Sequence, residues 1–528
     1  MTDLILCNGS VIDGAGNPWF KADVAVEGNK IVKVGDGGGL EADREINVKG
    51  YMVAPGFIDI HTHSDLNLVI NPKADSKLRQ GITTELIGCC GSSPAPLNER
   101  MKEEMVFKIS SLEFHLDIDW STMGGYMKRL DRQGICVNVA TLVGHGTVRD
   151  YVMDYDARPS TEEELEQMKK LVAQAMEDGV IGMSAGLEYA PGIYSKTEET
   201  IELCKIVARY GGIYDVDHRD EGDRGGLIRS INEVIEIAEK SKCPVQISHL
   251  KCLGKLAWGL SEKILTMIEN ARGRGIDITY DQYPYTASGT DLFAWTPHWA
   301  KEGGRSGLVE KMKDPRKRDR IKDGLWEIIE IRGGPERQMV STFPPNPSYE
   351  GRSIKEIADL RGKPPKDTAI ELLEENEGTV RVVSFNMDED DLLRIMRHPL
   401  HMVGSDGYSV TKTGVLGKGN PHPRYFATYP RVLEIYVREK NILTLEDAIR
   451  RMTSAPAQRL GLRDRGLIRE GYKADIVVFD PKNVKQVSTF EDPNQYPAGI
   501  DYVVVNGKVS IDEGQYNGTL AGLVLRRQ

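Results

Sequence analysis

Cysteine is scarce in this sequence: seven in 528 residues, an odd number, at positions 7, 89, 90, 136, 204, 243 and 252. That argues against a disulfide framework and suits a reducing cytoplasm, so a cysteine found in a functional cluster reads as a ligand or nucleophile. A basic excess is also missing. Lys and Arg number 68 against 79 Asp and Glu, a formal charge of −11. Phosphate backbones recruit basic surfaces, so a dedicated nucleic-acid binder is not expected, although a local cationic pocket stays open. No apolar run approaches the roughly 18 residues of a spanning helix. The opening Met1-Thr-Asp-Leu-Ile-Leu-Cys7 has neither a basic n-region nor a long apolar stretch, so neither membrane association nor a signal peptide is expected. What is present, 40% hydrophobic and 28% charged residues, is ordinary for a globular protein and suffices for a large core.

Residues 1–52 read as short strands broken by Asn8-Gly9 and Glu27-Gly28-Asn29. The far end matches, with Ala474–Phe479 as a strand and residues 502–511 as a hairpin around Asn506-Gly507. Two such segments at opposite ends predict one small β-sandwich domain built from residues 1–52 and 456–528. Between them, from 53 to 455, strands and helices alternate. Eight apolar runs stand out: Val53–Ile60, Ile82–Ile87, Val137–Val143, Val180–Ser184, Gly212–Val216, Val245–Ser248, Ile276–Tyr280 and Met402–Gly404. Helical stretches separate several of them; in 227–242, Leu227, Ile228, Ile231, Val234, Ile235 and Ala238 keep a 3.6-residue spacing. The fold class is therefore α/β, a (β/α)8 TIM-like barrel. The long gap between the seventh and eighth runs predicts an inserted subdomain at about 291–345, either over the barrel mouth or as a surface excursion.

Histidine is rare, ten in all, and most lie at the ends of these runs. His61 and His63 close the first, in Ala54-Pro-Gly-Phe-Ile-Asp-Ile-His-Thr-His63. An i, i+2 pair on a strand projects to one face, so both imidazoles can meet one ion. Cys89-Cys90 ends the second, where a thiolate could ligate or bridge metals. Asp217-His218-Arg219 ends the fifth, His249 the sixth and Asp406 the eighth, while His145 ends the third as a supporting group. Each has a bland explanation as a cap, a core histidine or a turn. Five strand ends offering ligands at the catalytic rim of a barrel do not.

The run Val53-Ala-Pro-Gly-Phe-Ile-Asp-Ile-His-Thr-His63, with Thr453-Ser-Ala-Pro-Ala457 and Gly471-Tyr-Lys-Ala-Asp475 near the far end, resembles the amidohydrolase superfamily. Gly88-Cys-Cys-Gly91, Gly186-Leu-Glu-Tyr-Ala-Pro-Gly192, Gln246-Ile-Ser-His-Leu-Lys251, Tyr283-Pro-Tyr285, Gly404-Ser-Asp-Gly407 and His422-Pro-Arg424 resemble its N-acyl-D-amino-acid deacylase (D-aminoacylase) family, and the likeness spans nearly the whole chain. The resemblance implies a metal-dependent hydrolase barrel using one or two zinc ions. One metal would take His61, His63, Cys90 and Asp406; the other would take Cys90, a strand-five ligand and His249. Many amidohydrolases bridge two metals with a carboxylated lysine on the fourth strand; here that stretch has none, and Cys90 aligns with the cysteine the deacylases use. The family reads Thr-His-x-Arg on strand five where this chain has Val216-Asp217-His218-Arg219. Either Asp217 replaces the imidazole or the strand shifts and presents His218; both cannot easily serve, because adjacent side chains face opposite ways, and a single metal is then an alternative.

The resemblance further implies that Asp406 shuttles the proton from water to the leaving amine, and that Lys251, Tyr283 and Arg424 hold a substrate carboxylate. The predicted function is zinc-dependent hydrolysis of N-acyl-D-amino acids. The alternatives are a cyclic-amide hydrolase of the hydantoinase or dihydropyrimidinase kind, which the missing lysine disfavours, and a non-catalytic scaffold, which the retained ligands disfavour. The expected partner is a small-molecule substrate, with no nucleic acid and no membrane; the oligomeric state is left open, a homo-oligomer among the options.

Overall fold

A computed structural model describes residues 2–37, 39–73, 75–110, 114 and 116–527. Eight parallel strands form the barrel in sequence order: Phe57–Asp59, Ile82–Ile87, Asn138–Gly144, Gly182–Gly186, Ile213–Asp217, Val245–Ile247, Ile278–Gln282 and His401–Val403. All eight coincide with the apolar runs in the sequence. Strands of a barrel are buried on both faces, so they read as continuous hydrophobic stretches. The first and last strands meet at their C-terminal ends, where Asp406 N–H donates to the His61 carbonyl at 2.9 Å and His63 N–H to the Gly407 carbonyl at 2.9 Å.

The helices follow from local signals. Glu162–Asp178 starts at a capping box, with Thr161 accepting from the Glu164 N–H and Glu164 returning the bond. Leu227–Ser241 buries Leu227, Ile231, Val234, Ile235 and Ala238 against the barrel, the stripe the spacing predicts. Among the described residues no helix is long and apolar enough to cross a membrane.

Strands from the two terminal segments share one sheet. Met52–Pro55 pairs antiparallel with Ile476–Phe479, and nine strands between Thr2 and Tyr516 are hydrogen-bonded into one continuous sheet over a core that includes Leu6, Val24, Val53, Ile476 and Val504. The last residues leave it. Val524–Leu525 adds to the third barrel strand, and the helix Ser454–Arg459 places Ala457 among barrel-interior side chains.

The insertion is longer than the expected 291–345. A three-stranded antiparallel sheet of Ser288–Asp291, Gln338–Thr342 and Arg381–Ser384, with the helices between, packs on its own core of Trp295, Leu325, Ile329, Ile370 and Val382. Arg381–Ser384 lies between the other two strands, so the unit closes only near 384.

Beneath the site runs a buried ionic chain. Lys77 Nζ donates to Asp59 Oδ2 and to Ser405 Oγ, each at 2.8 Å, and lies 4.0 Å from Glu85 Oε2; Lys77, Asp59 and Glu85 are fully buried. Removing one member leaves uncompensated charge in the interior. Lys77→Met is expected to lower the unfolding free energy by about 3–5 kcal/mol. Urea unfolding checks this, and a loss under 1 kcal/mol would contradict it.

Candidate metal centre and substrate pocket

The strand ends bring the donors together. Cys90 Sγ lies 3.3 Å from His61 Nε2 and 3.4 Å from His249 Nε2. Asp406 Oδ1 lies 3.0 Å from His63 Nε2 and 3.8 Å from His61 Nε2, and Asp217 Oδ2 lies 3.5 Å from His249 Nε2. Three overlapping sets result: His61, His63 and Cys90; His61, His249 and Asp406; and Cys90, Asp217 and His249, with the donor atoms of each within 4.8 Å of one another. Cys90 belongs to two of them.

Backbone geometry makes this convergence possible. Cys90, His249 and Asp406 take positive φ values of 50°, 33° and 48°. Such strain in residues with side chains gathers at functional sites. The loops after strands two and four touch through glycine: a Cβ on Gly186 would fall 2.3 Å from the Cys90 carbonyl oxygen. Gly404 gives the same clearance, since a Cβ there would meet Asp281 Oδ1 at 2.7 Å and His61 Cβ at 2.9 Å.

Asp217, not His218, faces the cluster. Ile213 lies in the barrel-interior cluster, and Asp215 and Asp217 follow it at i+2 and i+4, whereas Tyr214 and Val216 pack outward into the main core. His218 continues the outward phase, with Nδ1 at 3.0 Å from Ser230 Oγ, and burial lowers its pKa to about 4. Asp217→Ala is accordingly expected to lower zinc affinity at least tenfold and His218→Ala to leave it within about threefold, by competition with a chelating dye. The reverse order would contradict the phase argument.

The residues fit a cation. Both carboxylate oxygens of Asp217 are buried without a hydrogen bond among the described residues. Burial, with Asp217 and Asp406 nearby, pushes the Cys90 thiol well above its ordinary value. Burial and Glu221 do the same to the Asp217 carboxyl. Burial holds His249 low, with Lys251 beside it, and so keeps it in the neutral form a metal needs. Only a positive ion among them reverses the penalties on the thiolate and the carboxylate, and a Cys, His and Asp donor set matches zinc.

Several participants were not evident in the sequence. Asp281, at the end of the seventh strand, accepts from the His249 backbone N–H at 3.0 Å and stands 3.5 Å from His61 Nδ1. Burial opposes protonation of His61, but Asp281 and Asp406 outweigh it and raise its pKa to about 9. Glu221 lies 3.2 Å from His249 Nδ1 and accepts from Lys251, whose Nζ is also 2.7 Å from that nitrogen. Position at a strand end could have flagged Asp281; Glu221 lies in the loop beyond strand five and carries no such mark. His145 stands apart from these donor sets, its Nε2 2.8 Å from Glu199.

A cavity opens beside the cluster, lined by Glu188, His249, Lys251, Tyr283, Arg332 and Asp406 among others. Ser288, Gly289 and Thr290 of the insertion also line it, so that unit covers the barrel mouth. Lys251 and Tyr283 line it and Arg424 packs on Tyr283: Lys251 Nζ lies 5.8 Å and the Arg424 guanidinium 4.7 Å from the Tyr283 ring centre. Arg424 Nη1 pairs with Asp406 Oδ2 at 2.9 Å, but the pair is not aligned as a hydrogen bond, and buried Nε and Nη1 have no hydrogen-bond acceptor among the described residues. Burial works against ionisation of Asp406, yet Arg424, His249, His63 and His61 hold its carboxyl well below the usual range.

A barrel of this kind, with its donors on the C-terminal rim, defines a class. The chain belongs to the amidohydrolase family, whose model matches residues 44–275 and 339–511. It is 36% identical to D-aminoacylase of Alcaligenes xylosoxydans xylosoxydans over 99% of this chain and 98% of that protein. A crystal structure of D-aminoacylase superposes with a TM-score of 0.83 at 35% identity, covering 100% of both chains. N-acyl-D-glutamate deacylase from Bordetella bronchiseptica, solved with zinc and a phosphonate inhibitor that mimics the tetrahedral intermediate, superposes at 0.82 with 31% identity over 99% of each chain. Such relatives set it in the N-acyl-D-amino-acid deacylase branch of the family, as the motifs imply.

Proposed function

We propose that this protein is a zinc-dependent deacylase that hydrolyses the amide bond of N-acyl-D-amino acids, releasing a carboxylic acid and a free D-amino acid. The observation that carries the reading is the metal-type donor set at the strand ends, whose His249 and Asp406 line one cavity together with Lys251 and Tyr283, with the Arg424 guanidinium set against Asp406 and the Tyr283 ring.

His61, His63, Cys90 and Asp406 would hold one ion, and Cys90, Asp217 and His249 the other. When bound, zinc polarises the amide carbonyl and makes water acidic enough to attack at neutral pH. The chain's own groups do the rest. Asp406, ionised and facing the cavity, accepts the proton of the attacking water and returns it to the amide nitrogen, without which the amine would leave as an anion. Arg424 presents its free N–H groups, and Lys251 and the Tyr283 hydroxyl stand beside it, to hold the substrate carboxylate. Asp281 and Glu221 fix the rings of His61 and His249.

A matched panel of N-acetyl-D- and N-acetyl-L-amino acids, with hydantoins alongside, assayed with added zinc, tests the reading. Turnover of the D series alone is expected. Turnover of the hydantoins alone would instead support a cyclic-amide hydrolase, a reading disfavoured because Gly182–Gly186 carries no lysine.

A further inference from the structure

One wall of the cavity has no part in that chemistry. Glu188 follows the fourth barrel strand, is 3% exposed and lines the same cavity as Lys251 and Tyr283. Two guanidiniums approach it, Arg224 Nη1 at 3.7 Å and Arg332 Nη2 at 3.6 Å, both on Oε1 and both beyond hydrogen-bond distance. Arg332 is committed elsewhere: its Nε and Nη2 donate to Asp223 Oδ2 at 2.9 and 2.6 Å. Among the described residues the Glu188 carboxylate receives no hydrogen bond. Its charge is therefore flanked by cations while its lone pairs stay open to a donor in the cavity.

The surroundings select what could fill it. A cationic group would face Arg224 and Arg332. An anionic group would face Glu188, and next to it Asp217 and Glu221, whose oxygens lie within 4.8 Å of one another and of Glu188. A neutral N–H or O–H meets neither objection.

We infer that Glu188 is a specificity determinant, favouring N-acyl-D-amino acids that carry a neutral hydrogen-bond donor, a carboxamide or a hydroxyl, on the amino-acid side chain or on the acyl group. The inference rests on the proposed function above and adds the substrate class. It implies that acidic side chains are rejected here, since a substrate carboxylate would meet Glu188 with no proton between them.

The test compares kcat/KM for N-acetyl-D-glutamine, N-acetyl-D-glutamate and N-acetyl-D-norleucine, and for N-glycolyl- against N-acetyl-D-norleucine, with the zinc-loaded enzyme and with Glu188→Gln. The assay runs at about pH 8.5, above the value of about 7 to which burial and Asp223 raise the Glu188 carboxyl, so that the group is ionised. The wild type is expected to favour glutamine over glutamate by about 100-fold or more if the side chain supplies the donor, or glycolyl over acetyl by about tenfold if the acyl group does. In Glu188→Gln, at unchanged zinc content, the larger of these ratios should fall at least tenfold. A general structural defect would lower every substrate alike and leave the ratios in place. Equal preference in the wild type, or ratios unmoved in Glu188→Gln, would overturn the inference while leaving the deacylase reading intact. Failure of the zinc-loaded wild type to cleave any of these compounds would overturn both. Should Glu188→Gln not fold, the wild-type ratios alone decide.

Discussion

Asp406→Asn is expected to keep its zinc and lose nearly all turnover. Asparagine preserves the shape of the side chain but cannot take the proton of water and pass it to the departing amine. General acid–base assistance of this kind contributes roughly 10²–10⁴-fold, and kcat should fall by that much. Asp406 would also be a donor to one of the two proposed ions, through the atom that faces His63 at 3.0 Å. The set formed by Cys90, Asp217 and His249 does not include it, so at least one zinc per chain should survive. Steady-state kinetics with metal analysis on the same preparation separates the two effects. Turnover within threefold of wild type would remove Asp406 from the mechanism.

Arg424→Ala should cost almost as much, and selectively. Its buried Nε and Nη1 have no hydrogen-bond acceptor among the described residues, and a substrate carboxylate would supply one. Truncating one partner of a buried charged hydrogen bond costs about 2–5 kcal/mol, so kcat/KM for an N-acetyl-D-amino acid should drop roughly 30-fold to several thousand-fold. The matching N-acetyl amino amide, which has no carboxylate to lose, should suffer far less. A second signature follows from the ion pair with Asp406. Arg424 is the strongest of the charges that depress the Asp406 carboxyl, so without it that carboxyl titrates at higher pH. The acid limb of the kcat profile should therefore move up in pH. Equal losses on acid and amide substrates would argue against carboxylate capture.

Much of this architecture is written plainly in the chain. Val245–Ile247 and its seven neighbours are legible because strands buried on both faces keep apolar residues in every run, even where Asp215, Gln246 or Asp281 interrupts them. The donors are legible because rare residue types, histidine and cysteine, recur at strand ends. Asp281 and Glu188 are not, because carboxylates are common and only the folded barrel shows which of them point inward. The far edge of the insertion is hidden for another reason: Arg381–Ser384 pairs with segments some 40 and 90 residues away, and nothing local distinguishes it from a barrel strand. The choice between Asp217 and His218 turns on a one-residue phase. The two bulky neighbours Tyr214 and Val216 pack into the main core, which puts Asp217 on the opposite, interior face.

X-ray absorption at the zinc edge of the purified protein examines the shared thiolate directly. With Cys90 common to both donor sets, the spectrum should contain a sulfur scatterer at about 2.3 Å beside nitrogen and oxygen near 2.0–2.1 Å, and Cys90→Ser should abolish the sulfur component. A stoichiometric zinc whose coordination shell contains no sulfur in the unmodified protein, or a sulfur shell that persists in Cys90→Ser, would contradict it.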